Sequence, residues 1–135
     1  MTPSKFKFSN PVLTQLEFTV NSDFTRDIED KMAEMPIDSS ISIERSENDP
    51  EAIVSYKIMI AEKTSSYPFY ISVTMEAIFR WNDELSNDSV DKMLNYNAPA
   101  LLLGYIRPYV AQITSASPYA PLHIPFINFL EKNNK

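Results

Sequence analysis

The chain has 135 residues, 44% of them hydrophobic and 22% charged, with a formal net charge of −6. This length and balance fit a single domain over residues 1–135 with a sizeable core and exclude wholesale disorder. The acidic surplus excludes a phosphate-backbone binder, whose affinity would come from Lys and Arg displacing counterions. No window reaches the roughly 20 apolar residues that span a bilayer, and MTPSKFKFSN lacks the apolar stretch of a secretory signal, so the expected setting is cytoplasmic and away from membranes.

From Pro11 to Val20 apolar and polar residues alternate. Val12, Leu16, Phe18 and Val20 share one face, and Gln15, Glu17 and Thr19 the other, the pattern of a half-buried strand. After the turn-like Asn21, Ser22 and Asp23, residues Phe24, Ile28, Met32 and Met35 recur at helical spacing. The charged cluster between them fits a crossover loop with one helical turn equally well. A second strand is predicted over Ile37 to Ser46, with Ile41 and Ile43 opposite in face to Ser42 and Glu44, and Asn48-Asp49-Pro50 ends it. The third, Ala52 to Lys63, aligns Val54, Tyr56, Ile58 and Ile60, while Ile53, Met59 and Ala61 leave its other face partly apolar. In the fourth, Phe69, Ile71, Val73, Met75, Ala77, Phe79 and Trp81 all fall on one side. The short turn Thr64-Ser65-Ser66 predicts that strands three and four pair as an antiparallel hairpin.

Asp88 has the character of an N-cap with Asp91 in the first turn, opening a short helix to about Tyr96. Asn97 and Pro99 restart a second helix. On it Leu102, Ile106, Tyr109, Val110 and Ile113 follow three-and-four spacing, and Leu101, Leu103 and Tyr105 widen the apolar arc. Pro108 has no N–H for the Gly104 carbonyl, which predicts a kink or a helix that begins only near it. Strands followed by helices indicate the α+β class: a four-stranded antiparallel sheet packed with one long amphipathic helix. The wide apolar arc and the free sheet edges predict self-association, with Leu102, Ile106, Tyr109, Val110 and Ile113 at the interface between copies.

Catalytic chemistry is not expected. Cys is absent and His occurs once, at His123, so neither a zinc site of the usual spacing nor a thiolate nucleophile can be assembled within one chain. His123 reads as structural. No Ser lies in a nucleophile elbow and nothing resembles a phosphate loop, so no cofactor is expected. The clusters Asp27 to Asp30 and Glu44 to Glu51 read as solvated loop charges.

The order Asn97-x-Pro99, Tyr105-x-Arg107 and Tyr119-x-Pro121-Leu122-x-Ile124-Pro125-x-x-Asn128-Phe129 resembles the C-terminal half of the SecB protein-export chaperone family. Ala77-Ile78-Phe79 stands where that family has Gly-Ile-Phe, and the likeness runs from strand four to Phe129, with a looser match in the first strand. The resemblance implies a cytoplasmic, ATP-independent holdase for unfolded polypeptides or preproteins, a homotetramer built as a dimer of dimers with its helices packed between sheets. Family members pass preproteins to the ATPase of the Sec translocase, and some relatives stabilise a partner antitoxin instead. The client-binding residues expected on this basis are Met32, Met35, Pro36, Ile37 and Ile41 beside the crossover, with Tyr119, Phe126, Ile127 and Leu130 in the C-terminal segment. Met suits a surface that must accept many side chains.

The chain also departs from the pattern. The acidic positions that dock the translocation ATPase correspond to Gln15, Thr19 and Ser72, so Sec docking is not implied. Gly104 and Ser117 replace residues usually Pro and Gly. The family continues past Asn-Phe into an amphipathic helix beside the client groove, where this chain reads Leu130 and then the polar Glu131 to Lys135, so that wall is expected to be missing or supplied otherwise. Two rival outlines remain open: a hot-dog-like small-ligand carrier or thioester enzyme, and a partner-specific module such as an antitoxin-stabilising chaperone.

Overall fold

A computed structural model describes residues 5–24, 35–63 and 67–129. The predicted crossover helix, the Thr64 to Ser66 turn, and the expected site residues Met32 and Leu130 lie outside these. Among the described residues five strands form one antiparallel sheet: β1 (Phe6–Phe8), β2 (Val12–Val20), β3 (Ile37–Arg45), β4 (Glu51–Ile60) and β5 (Phe69–Trp81). β5 is central. It pairs with β4 along one side, from Glu51 opposite Arg80 to Ile60 opposite Ile71, as expected for the hairpin. On its other side β2 covers Phe69 to Glu76 and β1 covers Phe79 to Trp81. β3 pairs only with β4 and forms an edge of the sheet among the described residues.

The fifth strand, β1, is an addition to the four expected. Its Phe-Lys-Phe alternation sets Phe6 and Phe8 on the same side as Trp81 and Phe79, with ring centroids 6.3 and 6.1 Å apart. A second correction concerns β2. A bulge between Leu13 and Gln15 shifts the register, so Leu13 faces Met75 on the helix side and Val12 faces Glu76 on the other. Val12 therefore does not share the face of Leu16, Phe18 and Val20, because one extra residue reverses every side chain before it.

Helix α1 (Asn87–Lys92) is capped by Ser86, not by Asp88. Ser86 is extended and its hydroxyl accepts from the Ser89 N–H at 3.2 Å, whereas Asp88, one position inside the helix, pairs with Lys92 at 3.3 Å. A π-helical turn (Met93–Asn97) leads into α2 (Ala98–Thr114). α2 runs through Pro108 and does not begin there. Pro99 stands in its first turn, where a missing N–H costs little.

The core lies between α2 and one face of the sheet. Val54, Tyr56, Ile58 and Ile60 of β4 and Phe69, Ile71, Val73 and Met75 of β5 are at most 1% exposed, and Leu102, Ile106 and Val110 of α2 are fully buried with them. Each such side chain contributes about 1.5 to 3 kcal/mol by leaving water. Burial raises the Tyr56 phenol above its usual value, with the Ser39 side chain pulling the other way.

Ala61, just after β4, has φ of 65° and donates its N–H to the Pro36 carbonyl at 2.9 Å, tying the start of β3 to the end of β4. A Cβ in the left-handed region is strained. Ala61→Gly is expected to raise stability by about 1 kcal/mol, read as a higher midpoint in chemical denaturation with an unchanged slope.

Candidate functional site

The segment after α2 turns back and runs along the helix in extended form, held by a small set of polar anchors. Ser117 Oγ donates to the Thr114 carbonyl and accepts from the Tyr119 N–H, closing the turn. Thr114, fully buried, donates its hydroxyl to the Val110 carbonyl at 2.7 Å and accepts the Leu122 N–H at 2.8 Å. Arg107 Nε donates to the Ile124 carbonyl at 2.8 Å, and its guanidinium lies 4.5 Å from the Phe126 ring centroid. Ile124 and Phe129 are the apolar anchors. Phe129 stands edge-on to Tyr56 at 5.5 Å, and Tyr56 is the cross-strand partner of Ile41. The C-terminal segment therefore reaches over the β4–β3 side of the sheet.

β3 supplies what lies beside it. Ile37, Ile41 and Ile43 face the helix side, partly exposed, while Asp38, Ser40, Ser42 and Glu44 face the other. The Ala61 N–H to Pro36 carbonyl and Ser46 N–H to Glu51 carbonyl bonds fix the ladder's phase: even-numbered residues of β3 bond to β4. By the antiparallel alternation, the backbone N–H and C=O groups of Ile37, Ile41 and Ile43 point outward from the sheet. A nine-residue edge without Pro is well suited to accept another strand.

The expected client-binding residues divide on this frame. Pro36 and Ile37 are exposed and Ile41 half-buried along β3; Phe126 is 86% exposed and Ile127 half-buried on the returning segment. Tyr119 is half-buried at the end of the sheet, donating its hydroxyl to the Asn21 carbonyl and meeting Phe24 edge-on at 6.1 Å. Met35 is 7% exposed and belongs to the core cluster, so it supports the fold and offers no free surface. Ile43 and Phe129 join the region without having been singled out; alternation with Ile41 was the available signal for the first.

The expected interface residues divide too. Leu102, Ile106 and Val110 are fully buried against their own chain's sheet and have no surface left for a second copy. Tyr109 is exposed and Ile113 half-buried. The outward side of α2 instead presents Leu101, Tyr105 and Tyr109; of the residues expected to widen the apolar arc, Leu101 and Tyr105 lie here, while Leu103 is buried. Phe8, Leu13 and Leu16 are exposed on the same side of the sheet as the helix.

The opposite sheet face carries exposed Val12 and Ile53, and beside them a set of internally bonded polar side chains. Gln15 Oε1 accepts from Ser72 Oγ at 3.1 Å and from Thr74 Oγ1 at 3.2 Å, and Ser55 Oγ donates to Glu76 at 3.0 Å. Thr19 faces Tyr70 on this same side. Three positions separated in sequence, Gln15, Thr19 and Ser72, thus share one face, with Glu17 between the first two and opposite the third. Glu17 contacts Lys63, whose ammonium it holds above the usual lysine range.

The family model for SecB, preprotein translocase subunit SecB, matches residues 14–132. The chain belongs to the SecB family. The matched span includes most of β2, all of β3, β4 and β5, α2 and the returning segment, and leaves out β1. Among solved structures, the Mycobacterium tuberculosis Rv1957 SecB-like chaperone in complex with a ChAD peptide from the Rv1956 HigA1 antitoxin shares the fold, with a TM-score of 0.69 at 12% identity over 91% of both chains. A protein of unknown function from Streptococcus agalactiae also aligns, with a TM-score of 0.49 at 14% identity over 93% of this chain and all of that one. No protein with a curated description matches significantly. SecB family membership makes this a chaperone of the α+β class and not an enzyme.

Thr114→Val keeps the shape of the side chain but removes the acceptor for the Leu122 N–H. Amide exchange across Leu122 to Ile124 is expected to accelerate at least tenfold, with the amides of β4 and β5 unchanged, in hydrogen-exchange mass spectrometry.

Proposed function

We propose that this SecB-family chain is an ATP-independent holdase that binds polypeptides in unfolded, extended form. The observation that supports the reading is the β3 edge: outward backbone groups at Ile37, Ile41 and Ile43, half-exposed isoleucine side chains on one face, and the C-terminal segment with Phe126 and Ile127 on that same side. An extended segment could add as a further strand, its main chain giving affinity and every second side chain meeting the isoleucines. Folded proteins rarely offer such a segment. Pro36, Ile37, Ile41, Tyr119, Phe126 and Ile127 are the proposed client contacts, with Met32 and Leu130 retained from the sequence.

The same reading proposes a homotetramer, as a dimer of dimers, in the cytoplasm. Several copies would hold one long client at several sites, so modest anchors of about 1 to 3 kcal/mol each combine into tight capture. The hand-off to a Sec ATPase is given less weight than a dedicated client, because Gln15 and Ser72 bond each other where docking acids would be required. The antitoxin peptide held by the Mycobacterium tuberculosis neighbour favours such a partner-specific role as the second reading.

Light scattering with absolute mass, on the protein mixed with a slow-folding polypeptide either chemically unfolded or native, tests the holdase. A complex with the unfolded form alone is the expected result, and indifference to both forms would overturn it. Ile37→Ser combined with Phe126→Ser is expected to weaken capture at least tenfold without changing the assembly mass, since neither side chain is in the buried core. Unchanged affinity would remove the β3 edge and the C-terminal segment from the site.

A further inference from the structure

The helix-side row of β3 from Ile37 to Ile43 is apolar except at one place: Ile37, Ser39, Ile41 and Ile43. The residues paired with them on β4 are Ile60, Ile58, Tyr56 and Val54, all fully buried. Of those four only Tyr56 carries a polar side-chain atom, and its hydroxyl has no hydrogen-bond partner among the described residues although water does not reach it. A buried hydroxyl left unbonded is costly and uncommon. Phe129 of the returning segment stands edge-on to the Tyr56 ring at 5.5 Å. Burial raises the phenol's pKa, and the nearby Ser39 side chain draws it down without completing a bond to the hydroxyl. The unbonded atom thus lies beside Ser39, between β3 and the returning segment.

Main-chain pairing is interrupted at the same position. By the alternation of the ladder the Ser39 N–H points outward with those of Ile37, Ile41 and Ile43, but it donates to the Asp38 carboxylate at 2.9 Å. An added strand therefore finds the Ser39 amide already engaged, and contact there falls to side chains.

We propose that Ser39 and Tyr56 form a polar notch in the client site, which selects a segment with a hydrogen-bonding side chain of the Ser, Thr or Asn class facing Ser39 and apolar side chains at the alternate positions facing the isoleucines. On binding, the Tyr56 hydroxyl donates to Ser39 Oγ, and Ser39 donates to the oxygen of the client side chain. The buried phenol is then satisfied only in the complex. An apolar side chain at the same place leaves Tyr56 without a partner and also shuts Ser39 off from water, so it is penalised by more than its shape. The backbone edge accepts many sequences, and the notch fixes which register of a given client is held.

This inference deepens the holdase reading and rests on it. The probes are fluorescent seven-residue peptides with isoleucine at the first, fifth and seventh positions, threonine or its isostere valine at the third, and lysine between, together with the same sequences reversed to allow for either strand direction. Fluorescence anisotropy is expected to show wild-type protein binding the threonine probe about tenfold more tightly than the valine probe in one direction. Tyr56→Phe keeps the ring against Phe129, and Ser39→Ala changes only a half-buried edge residue. Each is expected to bring the two probes to equal affinity, and Tyr56→Phe to raise the midpoint of chemical denaturation, since the unbonded hydroxyl is gone. Equal affinities in wild type, a tighter valine probe, or a preference that survives in either variant would overturn the notch. Mixing wild type with the unfolded polypeptide separates the two claims. Capture of that polypeptide without binding of any probe refutes the notch alone, and no capture refutes the holdase and the notch together.

Discussion

Everything described here hangs on β5. Its thirteen residues are hydrogen-bonded on both sides, to β4 along one and to β2 and β1 along the other, and its core face packs with α2. A strand so placed must be apolar on the helix side over its full length, and it is, from Phe69 to Trp81. Once β5 is set, β4 has no freedom of register, and β3 is carried to an edge of the sheet among the described residues.

The returning segment depends on the same packing at one remove. Thr114 is buried because α2 lies on the sheet, and only a buried hydroxyl with no competing water will hold the Leu122 amide so firmly. Arg107 then fixes the Ile124 carbonyl, and Phe129 reaches Tyr56. The prolines add stiffness: Pro118, Pro121 and Pro125 keep the chain extended and remove donors that would otherwise seek partners. The result is an extended apolar segment above a strand that forms a sheet edge among the described residues, a suitable geometry for gripping another extended chain.

Two apolar surfaces are left outside the core among the described residues. One, at β3 and the C-terminal segment, combines outward backbone groups with half-exposed isoleucines. The other, on the outer side of α2, presents the half-buried Leu101 with the exposed Tyr105 and Tyr109. Backbone edges suit clients of varied sequence. On the opposite sheet face, Gln15, Ser72 and Thr74 satisfy one another.

Much of the fold was legible in the residues alone. Period-two alternation located four strands, three-and-four spacing located α2, and the Tyr119 to Phe129 pattern pointed to the family. What escaped were features whose signals are short or nonlocal. β1 is three residues long; the bulge after Leu13 leaves no mark in an alternating run; and Ser86 displaces Asp88 as the cap because the preceding chain arrives extended at that point. Burial divided the site. Met35, Leu102, Ile106 and Val110 are apolar residues of the same kind as Ile37, Phe126 and Tyr109, and spacing alone cannot distinguish a side chain facing its own core from one facing outward. By itself the sequence determined the class, the order of elements and the absence of thiol chemistry, because these follow from local periodicity and composition. Tertiary structure decided which apolar residues are used up inside and which remain, because that depends on how much of the wide arc of α2 a single sheet can cover.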